Sequence, residues 1–269
     1  MKPRVINENP EWTYIVPDSV AEWDGPSHWE RERLQSMQDN LRHGEVLFDI
    51  GAEHGWLTAV YGSFVGHQNV VLVEPSPEMW TDIRKTWAAN SFPDPAFAFV
   101  GFLGAKAMDD PKFKTKSVKG RRLPKFEWPE CARLEGPESG PMAYRIMGQH
   151  TEVPICTVDR IVELTGLVPS ALTIDVEGAE WEVLRGAVDT MVEHRPKLWV
   201  SVHPDLMLEN FNPHPDGEEF YIEEFFAWVE SHSYKRMYLG TDHEQHHLFW
   251  PIEQLASYVP LGEVIGSKS

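Results

Sequence analysis

The chain has 269 residues, with 24 Lys+Arg against 42 Asp+Glu and a formal charge of −18. Hydrophobic residues make up 42% and charged residues 25%, values that exclude a disordered tail, a collagen and a coiled coil. So large an acidic excess argues against a protein that tracks a phosphate backbone or lies on an anionic membrane, because both need clustered Lys and Arg.

Residues 1–26 are rich in Pro and Asn and are expected to run over the surface. Ser27-His28-Trp29-Glu30 reads as a capping box opening a polar helix over 28–42. Val46–Ile50 is a short apolar run that fits a buried strand, and it ends in the glycine turn Gly51-Ala52-Glu53-His54-Gly55. A helix from Trp56 to Val65 follows, then a strand at Val70–Val73 ending in Glu74-Pro75, a helix over 77–89 and a strand at 97–100. Strand and helix alternate, and the strands are continuously apolar. Both features predict a parallel sheet covered on its two faces.

Residues 104–152 break the pattern. Between Lys106 and Lys125 stand eight basic residues and two acids, a local charge of +6 that leaves −24 for the rest. An insertion of this length is expected to be functional, a lid over an acidic ligand, or simply a solvated loop. Regular structure resumes with a helix over 157–165 and a strand at 171–175. A helix follows around Trp181, Val183 and Leu184, then a strand at 198–202 that ends at His203-Pro204-Asp205. A helix over 218–231 and two strands, 235–239 and 247–250, complete the chain. Residues 1–43 are thus read as an N-terminal extension with a helix, and 44–269 as one domain.

Two cysteines, Cys131 and Cys156, are too few for a disulfide framework and fit a reducing cytoplasm. Met1 to Pro10 lacks the apolar segment of a signal peptide, and no run is long enough for a membrane span.

The first turn has the form G-x-x-x-G, not the dinucleotide pattern G-x-G-x-x-G. Gly51 and Gly55 let the backbone bend tightly beside a ligand. Glu74 ends the next strand, where an acid binds ribose hydroxyls. With Asp49 also acidic, the loop disfavours a phosphate and suits the cationic S-adenosylmethionine better than NAD. Asp49, Gly51, Ala52, Glu53, Gly55, Trp56, Glu74, Pro75, Ser76 and Asp175 are the expected cofactor residues.

Phe48–Gly55 and Val73–Glu78 resemble the first two motifs of the FkbM family of S-adenosylmethionine-dependent methyltransferases. The most specific match is Thr173-Ile174-Asp175-Val176-Glu177-Gly178-Ala179-Glu180 with Val183–Ala187, preceded by Thr157–Ile161. The resemblance covers roughly residues 44–250. It implies an α/β class I methyltransferase fold, Rossmann-like, with a seven-stranded, mostly parallel sheet in the order 3-2-1-4-5-7-6. It also implies methyl transfer to a hydroxyl of a sugar, glycan or other hydroxylated small molecule. The 104–152 insertion is longer and more basic than the family's typical loop, and the N-terminal region has no counterpart in it.

If that topology holds, Asp175, Glu177, His203 and Asp205 lie at one sheet edge with some of His243, His246 and His247. Two chemistries are open. His203 acts as general base with Asp175 or Glu177 orienting it, or a divalent metal is held by ligands drawn from Asp175, His203, Asp205, His243 and His246. Core packing is the expected role for most of the 11 tryptophans. A nucleotide-binding oxidoreductase, a nucleic-acid methyltransferase and a non-catalytic binding protein are the competing classes. A membrane partner is not expected, and pairing with a second copy is left open.

Overall fold

The computed structural model describes residues 1–6, 8–21, 30–132, 153–211 and 222–261. A seven-stranded sheet forms its centre. In chain order its strands are β3 (Leu47–Ile50), β4 (Val70–Val73), β5 (Phe97–Phe99), β10 (Ala171–Ile174), β11 (Lys197–Val202), β12 (Tyr234–Thr241) and β13 (Gln245–Pro251). Two N-terminal strands, β1 (Lys2–Ile6) and β2 (Asn9–Val16), precede them. The spatial order is β5-β4-β3-β10-β11-β13-β12, with β13 antiparallel to both its neighbours. This is the expected 3-2-1-4-5-7-6 order.

The strands are buried on both faces because alternate side chains enter two separate cores. Phe48, Ile50, Leu172, Ile174, Leu198 and Val200 point into one, packed by the helices Val158–Thr165, Glu180–Arg185, Val188–Glu193 and Ile222–Ser231. Leu47, Leu72, Ala171 and Trp199 point into the other, covered by the helices Arg31–Asn40, Trp56–Val65 and Met79–Ala89. At the carboxyl end of this second face the pattern changes. Asp49, Thr173 and Ser201 replace hydrophobic residues and lie buried beneath the Arg31–Asn40 helix.

The N-terminal residues depart from expectation. Residues 2–16, read as a surface run, pair as the antiparallel β1–β2 hairpin. The reason is alternation in β2: Trp12, Tyr14 and Val16 are buried while the residues between them are exposed. Trp12 meets Phe64 at 5.9 Å between ring centroids, and Tyr14 meets Phe92 at 5.7 Å. Asn90 bonds both backbone groups of Ile15, at 2.9 and 2.7 Å. The capping residues 27–29 lie outside the described residues. The Glu30 carboxylate accepts from Arg33 at 2.7 Å.

Two short strands flank the basic insertion, β6 (Phe102–Leu103) before it and β9 (Ile155–Cys156) after it, and they pair in parallel. Between them β7 (Lys114–Val118) and β8 (Arg121–Lys125) form a hairpin turned by Lys119 and Gly120, both with positive φ. Every residue of β7 is exposed. Residues 133–152 lie outside the described part. A further helix, Pro204–Phe211, was not anticipated and begins directly after β11.

Candidate active site

The first half of the site is made mainly by backbone. Gly51 stands at φ +92°, and a Cβ there would lie 1.7 Å from the carbonyl oxygen of Asp175. The turn can therefore pass over β10 only without a side chain. Gly55, at φ +75°, ends the turn against Ile83. Glu74 is 6% exposed, and its two carboxylate oxygens accept the backbone N–H groups of Glu53 (2.9 Å) and Ser76 (2.7 Å). Burial outweighs those bonds and pushes its pKa up to about 7. Asp49 accepts from the Thr58 hydroxyl, and burial likewise raises it to about 7. The Ser76 hydroxyl donates to Glu78 at 2.8 Å. Ala52 and Trp56 are buried, Pro75 is half-buried and Glu53 is exposed at the rim. The Arg4 guanidinium lies 4.7 Å over the Trp56 ring, so the N-terminal hairpin touches the helix that follows the glycine turn. His54 donates from Nδ1 to buried Asp82 at 2.9 Å. Burial opposes its charge, but Asp82 and Glu53 hold its pKa above the ordinary value.

The second half is made by charged side chains. His203 follows β11 and donates from Nδ1 to Glu180 Oε1 at 2.7 Å. Its Nε2 faces Glu244 Oε2 at 2.5 Å, Glu177 Oε2 at 3.6 Å and Asp175 Oδ1 at 3.9 Å. Burial works against a charged ring, yet Glu180 and Glu244 push its pKa up to about 12. His203 is therefore held as an imidazolium. The orienting carboxylate is Glu180, not Asp175 or Glu177, which both stand on the far nitrogen. Glu177 sits at φ +53°, a left-handed conformation that costs energy in a non-glycine residue and is common at functional sites.

Beneath this cluster lies Arg33, 1% exposed. It donates to Glu30 at 2.7 Å, to the Ser201 hydroxyl at 2.8 Å and to the Thr173 hydroxyl, and it stands 3.5 Å from Asp175 Oδ2. Asp242 accepts from the Glu30 N–H at 2.8 Å and from His246 Nε2 at 3.1 Å, and pairs with His243 at 2.9 Å. Although burial opposes it, these partners hold the Asp242 pKa far below the usual carboxylate range.

Asp175, Glu177 and His203 thus come together as anticipated. His243 and His246 lie beside them, but grouped with Asp242, Glu244 and Glu30. Asp205 is exposed in the first turn of Pro204–Phe211 and belongs to none of these groups. His247 points elsewhere, onto the Phe226 ring at 4.7 Å. Sequence reasoning missed Arg33, Glu30, Glu180 and Glu244. Glu180 lay inside the quoted motif, three residues from Glu177, and Glu244 stands next to His243. Arg33 carried no signal beyond being a cation in a polar helix.

The sheet order, with a glycine turn at its carboxyl edge, is that of a class I methyltransferase fold. Residues 49–236 match the Methyltransferase FkbM domain family, and the chain belongs to that family. No curated protein sequence matches it. Among solved structures it resembles the FkbM methyltransferase of Methylobacillus flagellatus (14% identity, 77% of this chain and 44% of that one, TM-score 0.43). It also resembles Aeropyrum pernix fibrillarin in complex with S-adenosylmethionine (10%, 81% and 73%, TM-score 0.41). A third is the S-adenosylmethionine-dependent O-methyltransferase of Thermotoga maritima (10%, 89% and 73%, TM-score 0.40). The chain spans less than half the length of the Methylobacillus protein. Among the described residues no helix is long and apolar enough to cross a membrane.

Proposed function

We propose that the protein transfers a methyl group from S-adenosylmethionine to a hydroxyl of a sugar, glycan or other hydroxylated small molecule. The observation that carries this reading is the double use of Asp175. Its carbonyl oxygen abuts the Gly51 turn, and its carboxylate faces His203 across 3.9 Å. A ligand on the turn and a hydroxyl at the cluster are therefore neighbours, as in-line transfer requires.

The donor set fits the cofactor. Two buried acids, Asp49 and Glu74, flank a turn whose crossing over β10 a Cβ at Gly51 would block. Glu74 is placed for the ribose hydroxyls, and the local negative potential favours a cation over a pyrophosphate. When bound, S-adenosylmethionine supplies an activated methyl group on a cationic sulfur. The chain's own residues orient the acceptor and take its proton. His203 already holds a proton, so the acceptor of the hydroxyl proton is a carboxylate. Glu177, with 40% of its side chain exposed, is the most open of those around Nε2. His203 in turn steadies the negative charge of that group.

The test is formation of S-adenosylhomocysteine against a panel of hydroxylated small molecules, with methylated product identified by mass spectrometry. Glu177→Gln is expected to lower turnover ~100-fold, the scale of a lost general base. Turnover at the native rate in Glu177→Gln would remove that role. Failure to bind S-adenosylmethionine at all would overturn the reading.

A further inference from the structure

His203 Nε2 faces three carboxylates; Arg33 meets the other oxygen of Asp175 at 3.5 Å, and His243 Nε2 stands 3.7 Å from Glu244 Oε2. One oxygen or nitrogen each from Asp175, Glu177 and His203 lie within 4.8 Å of one another, close enough to share one ion. Glu180 holds Nδ1 at 2.7 Å. That fixes the ring with Nε2 directed into the group, the arrangement of a metal-bound histidine whose other nitrogen rests on a carboxylate. Two carboxylates that touch the ring also carry buried oxygens with unmet hydrogen-bonding capacity, although Glu244 Oε1 has His246 Nδ1 3.8 Å away. Glu244 is 3% exposed, and its Oε1 has no hydrogen-bond partner among the described residues. Glu180 is fully buried, and its Oε2 also has none. Buried carboxylate oxygens without a partner are costly unless something positive meets them.

We propose that Asp175, Glu177 and the Nε2 atom of His203 form a binding site for one divalent cation, closed on its buried side by Glu244. The cation replaces the proton on Nε2, and Glu244 Oε2, now 2.5 Å from that nitrogen, turns to the ion. Two carboxylate ligands with one imidazole suit an oxygen-preferring ion such as Mn²⁺ or Mg²⁺. This set differs from the one the sequence suggested: it keeps Asp175 and His203, adds Glu177, and leaves out Asp205, His243 and His246. The site uses side chains assigned above to hydroxyl activation. A bound ion would acidify the hydroxyl, and its proton would then pass to solvent rather than to Glu177.

The experiment titrates Mn²⁺ into the chelator-treated full chain, following free Mn²⁺ by electron paramagnetic resonance. One saturable site per chain is expected. His203→Gln and Glu177→Gln are each expected to weaken binding at least ~10-fold, as is Glu180→Gln through the ring it holds. Asp205→Asn is expected to leave binding unchanged. Independently of any variant, Mn²⁺ bound to the wild-type chain should broaden the ring NMR signals of His203 and spare those of His67. Absence of saturable binding up to ~1 mM, equal binding in all variants, or broadening centred away from His203 would each overturn the proposal. S-adenosylmethionine binding by the same samples separates this outcome from a failure of the methyl-transfer reading, since the cofactor turn contains none of the substituted residues.

Discussion

The two halves of the site sit on one sheet edge and are built in opposite ways. The cofactor half is a backbone turn with two buried acids and depends on space at Gly51. The acceptor half is a side-chain network in which one imidazole and one guanidinium are surrounded by carboxylates. The first half lies inside the segment matched to the family, whereas the second is drawn from both sides of its bounds: Asp175, Glu177, Glu180 and His203 lie within residues 49–236, and Glu30, Arg33, Asp242, Glu244 and His246 lie outside. The N-terminal helix and the last hairpin thus complete a charged cluster that the family segment begins.

The largest effect should come from breaking the second half. Arg33 and Glu30 are 1% and 3% exposed, and removing one buried partner strands the other charge. Arg33→Met is expected to destabilise the fold by about 3–5 kcal/mol in denaturant unfolding. Arg33→Met with Glu30→Gln should recover most of that loss. Equal destabilisation by the single and double variants would show that the pair does not act as a unit.

Breaking the first half acts on geometry. Gly51→Ala sets a methyl group 1.7 Å from a backbone carbonyl, so the turn must move. A loss of about 3 kcal/mol is expected, together with loss of S-adenosylmethionine binding by calorimetry. Retained affinity would mean that the turn is not the cofactor's cradle.

Ionisation sharpens the comparison. Asp49 and Glu74 are raised to about 7 in the fold, chiefly by burial. Below that they are protonated and neutral, and above it they are carboxylates. Affinity for the cationic cofactor should therefore rise as pH increases from 6 to 8, and Glu74→Gln should flatten the rise. The sign for stability is opposite. The folded state holds these protons more tightly than the unfolded chain, so their stabilisation is complete below the unfolded pKa and lost as pH rises through about 7.

The smallest effect is expected at the insertion. Glu127 bridges Lys114 and Lys125 at 3.0 and 3.3 Å, but all three side chains are exposed. Glu127→Gln should leave the melting temperature within error. A clear fall would show that the hairpin is tied into the core.

How much was legible follows the same division. The first half could be read as structure because its constraints are local: a strand, a glycine turn and an acid at the next strand end form one pattern. The sheet order came with the family resemblance. The acceptor half could not be read in full, because long-range packing brings Arg33 within 3.5 Å of Asp175 and Glu244 within 2.5 Å of His203. Glu180 was visible but looked like part of a helix start. The β1–β2 hairpin was missed because its Pro and Asn content outweighed the alternation of Trp12, Tyr14 and Val16.

The central claim is that this sheet edge binds S-adenosylmethionine beside an acceptor cluster. Calorimetric titration of the wild-type chain with S-adenosylmethionine and with NAD tests it most directly. The account expects one saturable site for S-adenosylmethionine, lost in Gly51→Ala, and no binding of NAD. Saturable binding of NAD with none of S-adenosylmethionine would contradict it.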